Sequence, residues 1–167
     1  KVGGNDIDGG FIKTRSVGNP DALNAVYASG LINTFGGGLK NVPMLHYRNY
    51  TDTTTPGDIH DRHRDLTIRA RLEKATGTSA NQVIWVADRA ASREKTATVN
   101  LAPIALDTMT KWLDAMTADP AALSPEKVAK HKPSDAVDAY WTPEGKRVNE
   151  AASWDAETSW NKTYPLH

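Results

Sequence analysis

A chain of 167 residues, 39% of them hydrophobic, can bury one core, so one domain is expected rather than two. Twenty Lys and Arg balance twenty Asp and Glu, which leaves no general field for nucleic acid or an anionic membrane surface. Cysteine is absent, so disulfides, thiolate zinc sites and a cysteine nucleophile are excluded within the chain. No run approaches the ~20 apolar residues of a membrane span, and no basic segment leads into an apolar one as in a signal peptide. The chain opens with Lys1, which fits a processed or trimmed product whose targeting segment has gone.

Residues 1–19 are Gly-rich and irregular, as the middle of a longer fold looks after a cut. Asn19-Pro20 predicts a helix start, with Asn as N-cap and Pro at the first helical position. Leu23, Val26 and Tyr27 share its apolar face, and Gly30 ends it. Gly36-Gly37-Gly38 is a break. Val42 to Tyr47 reads as a strand with Pro43 near its start, where a strand tolerates proline. A Thr-rich loop follows, and Thr55 or Asp58 caps a helix running to about Ala75, with Gly77 just past its end. The face of that helix is Ile59, Leu66 and Ala70, with Ile68 and Leu72 alongside. Gln82 to Ala87 is a continuous apolar run suited to a buried parallel strand. A polar connection, 88–100, leads to a helix from Pro103 to Met116, whose face is Leu106, Met109, Leu113 and Met116, with Ile104 and Trp112 adding bulk. Ser124-Pro125 opens a short further helix. From His131 the periodicity dissolves, and 131–167 reads as an extended tail anchored by Trp141, Trp154 and Trp160. Two strands joined by a helix make one βαβ unit of a parallel sheet. Two strands are too few for such a sheet, so its other strands are expected on preceding sequence or another chain.

Between Asp52 and His63 lie three Asp and two of the five His. A strand that ends in such a loop, and then in a helix, is how open α/β sheets display chemistry. Asp52 fits the acid of a hydrolase triad, which orients an imidazole and stabilises it when protonated. The imidazole expected after Gln82–Ala87 is missing, since residues 88–100 hold no His. The nearest candidates are His60 and His63. No Gly-x-Ser-x-Gly elbow occurs, so a serine nucleophile would lie outside these residues. The plainer reading is that Asp52 closes an Asx-turn.

Asp58, His60, Asp61 and His63 form a second candidate, a zinc, iron or manganese site. Against it, Asp58 and Asp61 suit the positive end of a helix, and Asp61 and Asp65 can pair with Arg64 and Arg69. Asn5 to Gly9 holds fragments of a calcium loop without its closing Glu. Arg62, Arg64, Arg69 and Arg71 could bind a carboxylate or phosphate, but the interleaved acids favour a solvated, salt-bridged helix. No cofactor is expected.

On Tyr50-Thr51-Asp52, Gly57-Asp58-Ile59-His60-Asp61-Arg62 and Arg69-Ala70-Arg71-Leu72, then NQVIWVAD and ALDTMTKWLDAM, the chain resembles the C-terminal part of an exported bacterial domain-of-unknown-function family with an α/β-hydrolase-like core. Gly4 to Gly9 and Thr142-Pro143-Glu144-Gly145 extend the likeness over most of the chain. The resemblance implies that most of the fold, any nucleophile serine included, precedes Lys1, and that the setting is secreted or periplasmic. Tyr140 stands where a cysteine is expected, and none follows before His167, so a tail disulfide is not expected.

These readings give an α/β fold: residues 1–130 as the C-terminal part of an α/β-hydrolase-like domain, incomplete alone, and 131–167 as a Trp-rich tail packed on it. The expected function is part of a secreted esterase working by serine acyl transfer, with Asp52 as acid and His60 or His63 as imidazole. A companion chain or preceding sequence would carry the nucleophile, and the substrate would be a small or polymeric ester. The alternatives are a non-catalytic subunit that kept the hydrolase fold and a metal-dependent enzyme using His60 and His63.

Overall fold

In the computed structural model, which describes residues 8, 10, 18–30, 32, 37–53, 60–89 and 99–166, the strand expected at Gln82–Ala87 forms over those residues and every one of them is buried. It is an inner strand of a four-stranded sheet of order β1-β2-β3-β4, with β1 at Met44–Asn49, β2 at Gln82–Ala87, β3 at Ala139–Trp141 and β4 at Arg147–Asn149. The first three strands run parallel, and β4 returns antiparallel to β3. The sheet is therefore mixed and the class α/β. A parallel strand covered on both faces needs no polar alternation, which is why QVIWVA is apolar throughout.

The crossover from β1 to β2 carries α2, His63–Thr76, and that from β2 to β3 carries α3, Leu101–Ala118, and α4, Pro125–Lys130. Alternate side chains of a strand point to opposite faces, and β2 shows it. Val83, Trp85 and Ala87 pack with Leu101, Ala105, Trp112, Met116 and Val128. Ile84 and Val86 pack with Leu66 and with Tyr140, Trp160 and Tyr164. Helices α3 and α4 thus cover one face. The other is covered by α2 and by α5, Ser159–Thr163.

The chain divides into two units, Lys1–Thr34 and Phe35–His167. In the first, α1 spans Pro20–Ala28, and the Asn19 side chain accepts the Asp21 and Ala22 N–H groups, as the Asn-Pro pair predicts. In the second, Ser124 caps α4 in the same way through the Lys127 N–H, and Gly77 takes φ 77° behind α2, the left-handed turn that glycine permits.

Several expectations are corrected. Strand β1 lies two residues later than 42–47. Helix α2 begins at His63, not at the proposed caps; Thr55, Asp58 and Ile59 lie outside the described residues, as do Gly36 and residues 90–98 of the polar connection. Its buried positions include Asp65 beside Leu66 and Leu72, while Ala70 is exposed. In α3 the buried stripe is Leu101, Ala105, Thr108, Trp112 and Met116. Leu106 is 69% and Leu113 45% exposed. Of the expected face, Trp112 and Met116 are buried and Met109 partly so, but the leucines are turned outward, because the bulk of Trp112 and its indole donor set the rotation: Trp112 Nε1 donates to Val128 O at 2.8 Å.

Residues 131–167, expected as an extended tail, supply β3, β4 and α5. Trp141 and Trp160 are buried, but Trp154 is 55% exposed and anchors nothing. Tyr140, at the position where a cysteine was expected, fills the second core, with ring centroids 5.6 Å from Trp160 and 6.0 Å from Tyr164.

The rotation of α3 is testable. Trp112→Ala should lose about 4 kcal/mol in urea unfolding, as large-to-small core changes do. Leu113→Ala should lose less than about 1 kcal/mol. A larger loss at Leu113 than at Trp112 would place the leucine stripe inside.

Candidate active site

At the carboxyl end of β1 the chain leaves the sheet through Tyr50, whose N–H still pairs with Ala87 O at 2.8 Å, and then Thr51, which is buried. Asp52 follows, half-buried, on the turn. Its two carboxylate oxygens accept the Arg62 backbone N–H at 3.0 and 3.2 Å. Arg62 is the cap residue of α2 and has no side-chain cap bond of its own. Asp52, ten residues earlier, supplies the acceptor and sets a carboxylate at the positive end of the helix.

Burial raises the Asp52 pKa above its ordinary value; the Arg62 N–H bond and the Arg62 charge oppose the rise, Asp61 adds to it and Arg48 opposes it. The Arg62 side chain is itself 3% exposed. It donates to Tyr164 O and Asn161 Oδ1 and lies over the Trp160 ring, 5.4 Å from its centroid. Burial lowers its pKa to about 10, against the nearby Asp52. Asp52 therefore stands at a corner where the end of β1, the start of α2 and the α5 segment meet.

His60 and His63 lie on the same corner. His60 is exposed, and its carbonyl accepts from Arg48 Nη1 and, at 3.3 Å, from Thr51 Oγ1. His63 is the first residue of α2. Its Nδ1 lies 3.2 Å from Asp61 Oδ1, an ion-pair contact without hydrogen-bond alignment. Arg64 Nε reaches the same oxygen at 2.9 Å. Of the four proposed metal ligands, Asp58 lies outside the described residues, and among those described no group of three His, Asp or Glu side chains is gathered to hold an ion. Of the proposed calcium loop, only Asp8 is described.

A second arrangement on α2 escaped the sequence. Asp65, 1% exposed, was expected to pair with Arg64 or Arg69. Instead it faces β1. Its Oδ1 lies 2.8 Å from His46 Nδ1 and accepts Arg48 Nη2 at 2.8 Å, while Arg48 Nε stands 2.7 Å from Oδ2. Arg48 also donates to Asp61 O at 2.8 Å. Arg69 turns the other way and forms a two-pronged pair with Asp138 at 2.6 and 2.9 Å. The available signal was alternation: His46 and Arg48, two apart on β1, must share a face, and register sets them beside Ile84 and Val86, under α2. Nothing in the sequence says which carboxylate on α2 meets them. Held by Asp65 at Nδ1, His46 lines a cleft of about 460 Å³ together with Arg48, His63, Arg64, Asp65 and Arg71, among others.

Two outcomes are expected. Asp65→Ala removes the carboxylate that Arg48 and His46 share, leaving Arg48 only the His60 and Asp61 carbonyls, and should cost about 3 kcal/mol in urea unfolding; a loss under about 1 kcal/mol would show that Asp65 does not hold Arg48. For Asp52, burial puts the folded-state pKa above 3.8, so the folded chain holds that proton more readily than the unfolded one. Its contribution to stability is full below the unfolded value and declines as pH rises through the raised one. Asp52→Asn keeps an acceptor for Arg62 N–H and should abolish that decline, with stability at neutral pH equal to or above that of the wild type. A pH series of melting temperatures checks it, and an unchanged acid-side slope would refute it.

Among known proteins, the model of a tannase-like family of unknown function (DUF6351) matches residues 1–167. No curated protein and no solved structure matches.

Proposed function

Because the chain belongs to this tannase-like family, an α/β-hydrolase-type family, we propose that it forms one wall of the active site of an esterase that works by serine acyl transfer. The observation that carries this is the position of Asp52: half-buried, on the turn at the carboxyl end of a parallel strand, eight residues before His60. In this reading Asp52 orients an imidazole, for which His60 is the first choice and His63 the second. The imidazole takes the proton from a serine hydroxyl as the hydroxyl oxygen attacks the ester carbonyl. It then gives that proton to the departing alcohol, and water releases the acyl group by the same route in reverse. The serine is supplied by preceding sequence or a companion chain, because these residues hold no nucleophile elbow. The setting is secreted or periplasmic.

A second reading is favoured by one observation. Both oxygens of Asp52 already accept the Arg62 N–H, which is what a purely structural cap does. Here the chain is a non-catalytic part of an assembly that kept the fold.

Fluorophosphonate labelling of the intact protein separates the two, together with turnover of a small aryl ester. Catalysis predicts a labelled serine and a fall of about 10⁴-fold in kcat for Asp52→Asn, the size of effect found when a triad acid is neutralised. No labelling of any chain, with turnover unchanged in Asp52→Asn, would sink the esterase reading and leave the structural one. His60→Gln and His63→Gln, assayed side by side, identify the imidazole.

A further inference from the structure

The cleft between β1 and α2 has a charge pattern that the Asp52 corner does not use. Its floor is neutralised, because Arg48 and Asp65 cancel one another on the strand side. On the helix side, Arg64 pairs with Asp61 at 2.9 Å. Arg64, Ile68 and Arg71 follow one another at four and three residues, which sets them in one stripe of α2, and all three line the cleft together with Thr67. Arg71 differs from the other cationic residues there: among the described residues it has no carboxylate partner and no hydrogen-bonded acceptor. Two carboxylates thus stand against three guanidinium groups. The excess charge is concentrated at Arg71, beside Arg64 and facing a cleft that His46 and His63 also line.

We propose that this cleft binds a small oxyanion, a carboxylate or phosphate group held by Arg71 and Arg64 from the helix and by His46 from the strand. The guanidinium fork matches two oxygens of either group. His46 completes the site from the strand side, because Asp65 fixes its Nδ1 and so holds the ring in orientation along the cleft. About 460 Å³ admits a metabolite-sized ligand and not merely an ion. The charged and titratable groups that line the cleft with His46 are Asp65, Arg48, His63, Arg64 and Arg71. The site lies on residues other than Asp52 and His60, so it stands whether or not those two are catalytic.

The test is titration of the intact protein with inorganic phosphate and, separately, with succinate, followed by calorimetry and by the His46 imidazole resonance. The expected result is saturable binding that Arg71→Gln weakens about tenfold or more, the loss of one charge-assisted contact. Arg71 is exposed, so its replacement leaves the fold intact, and an unchanged melting temperature verifies that. Saturation by phosphate alone assigns a phosphorylated ligand; saturation by succinate alone assigns a carboxylated one; both support the oxyanion site. No saturation at millimolar concentrations of either probe, or binding that is equally tight in Arg71→Gln, overturns the proposal.

Discussion

One carboxylate ties this fold together. Asp138, immediately before β3, accepts both prongs of Arg69 from α2, the Ile84 N–H from β2 and the Ala152 N–H from the segment beyond β4. Strand β3 is only three residues long, and its pairing with β2 begins at Trp85. Below that point Ile84 pairs with β1 but has no partner on the β3 side, and a buried N–H left without an acceptor is costly. Asp138 fills the gap, and the guanidinium of Arg69 compensates its charge. Gln82 extends the network, receiving Arg69 Nε and donating to Asp65 O. The second core, Tyr140 and Trp160 included, is assembled on elements that this network locates.

From the same helix, four arginines are put to four uses. Arg62 is swallowed between Asn161, Tyr164 and Trp160 and binds the α5 segment to the start of α2. Arg64 pairs at the surface with Asp61. Arg69 holds Asp138. Arg71 lines a cleft and, among the described residues, pairs with no carboxylate. A salt-bridged, solvated helix is therefore an incomplete description: two of the four guanidinium groups are structural and inward. The same holds for the acids, since Asp65 is among the most deeply buried side chains in the protein. The two histidine environments follow suit. His63 stands at its own helix start, whereas His46 is fixed by a buried carboxylate at the side of a cleft.

The resulting corner is economical. Asp52 both sits on the turn after β1 and caps α2, so one residue with two structural duties occupies the place where parallel sheets gather their chemistry. The two roles are compatible, because a carboxylate has more acceptor positions than the single Arg62 N–H uses.

Local features were legible in the sequence because their causes are local. The Asn19-Pro20 and Ser124-Pro125 starts, the Gly77 stop, the unbroken apolar strand Gln82–Ala87 and the loop carrying Asp52 each depend on neighbours within a few residues. The family resemblance, read from Tyr50 to Leu72 and beyond, agreed with the tannase-like match in its α/β-hydrolase type and its unknown function. Tertiary structure alone decided the rest. It chose which stripe of α3 goes inside, where Trp112 finds Val128 O. It turned 131–167 from an expected wrapped tail into two strands and a helix, because three-residue strands exist only by pairing with β2. It chose Asp65 for His46 and Arg48, and Asp138 for Arg69, across 17 to 69 residues of chain. Charge partners on a helix are ambiguous from spacing alone, since several acids lie within reach of each arginine. Burial settles the matter: once packing takes Asp65 and Arg69 away from water, each must accept whatever opposite charge the adjoining strands present.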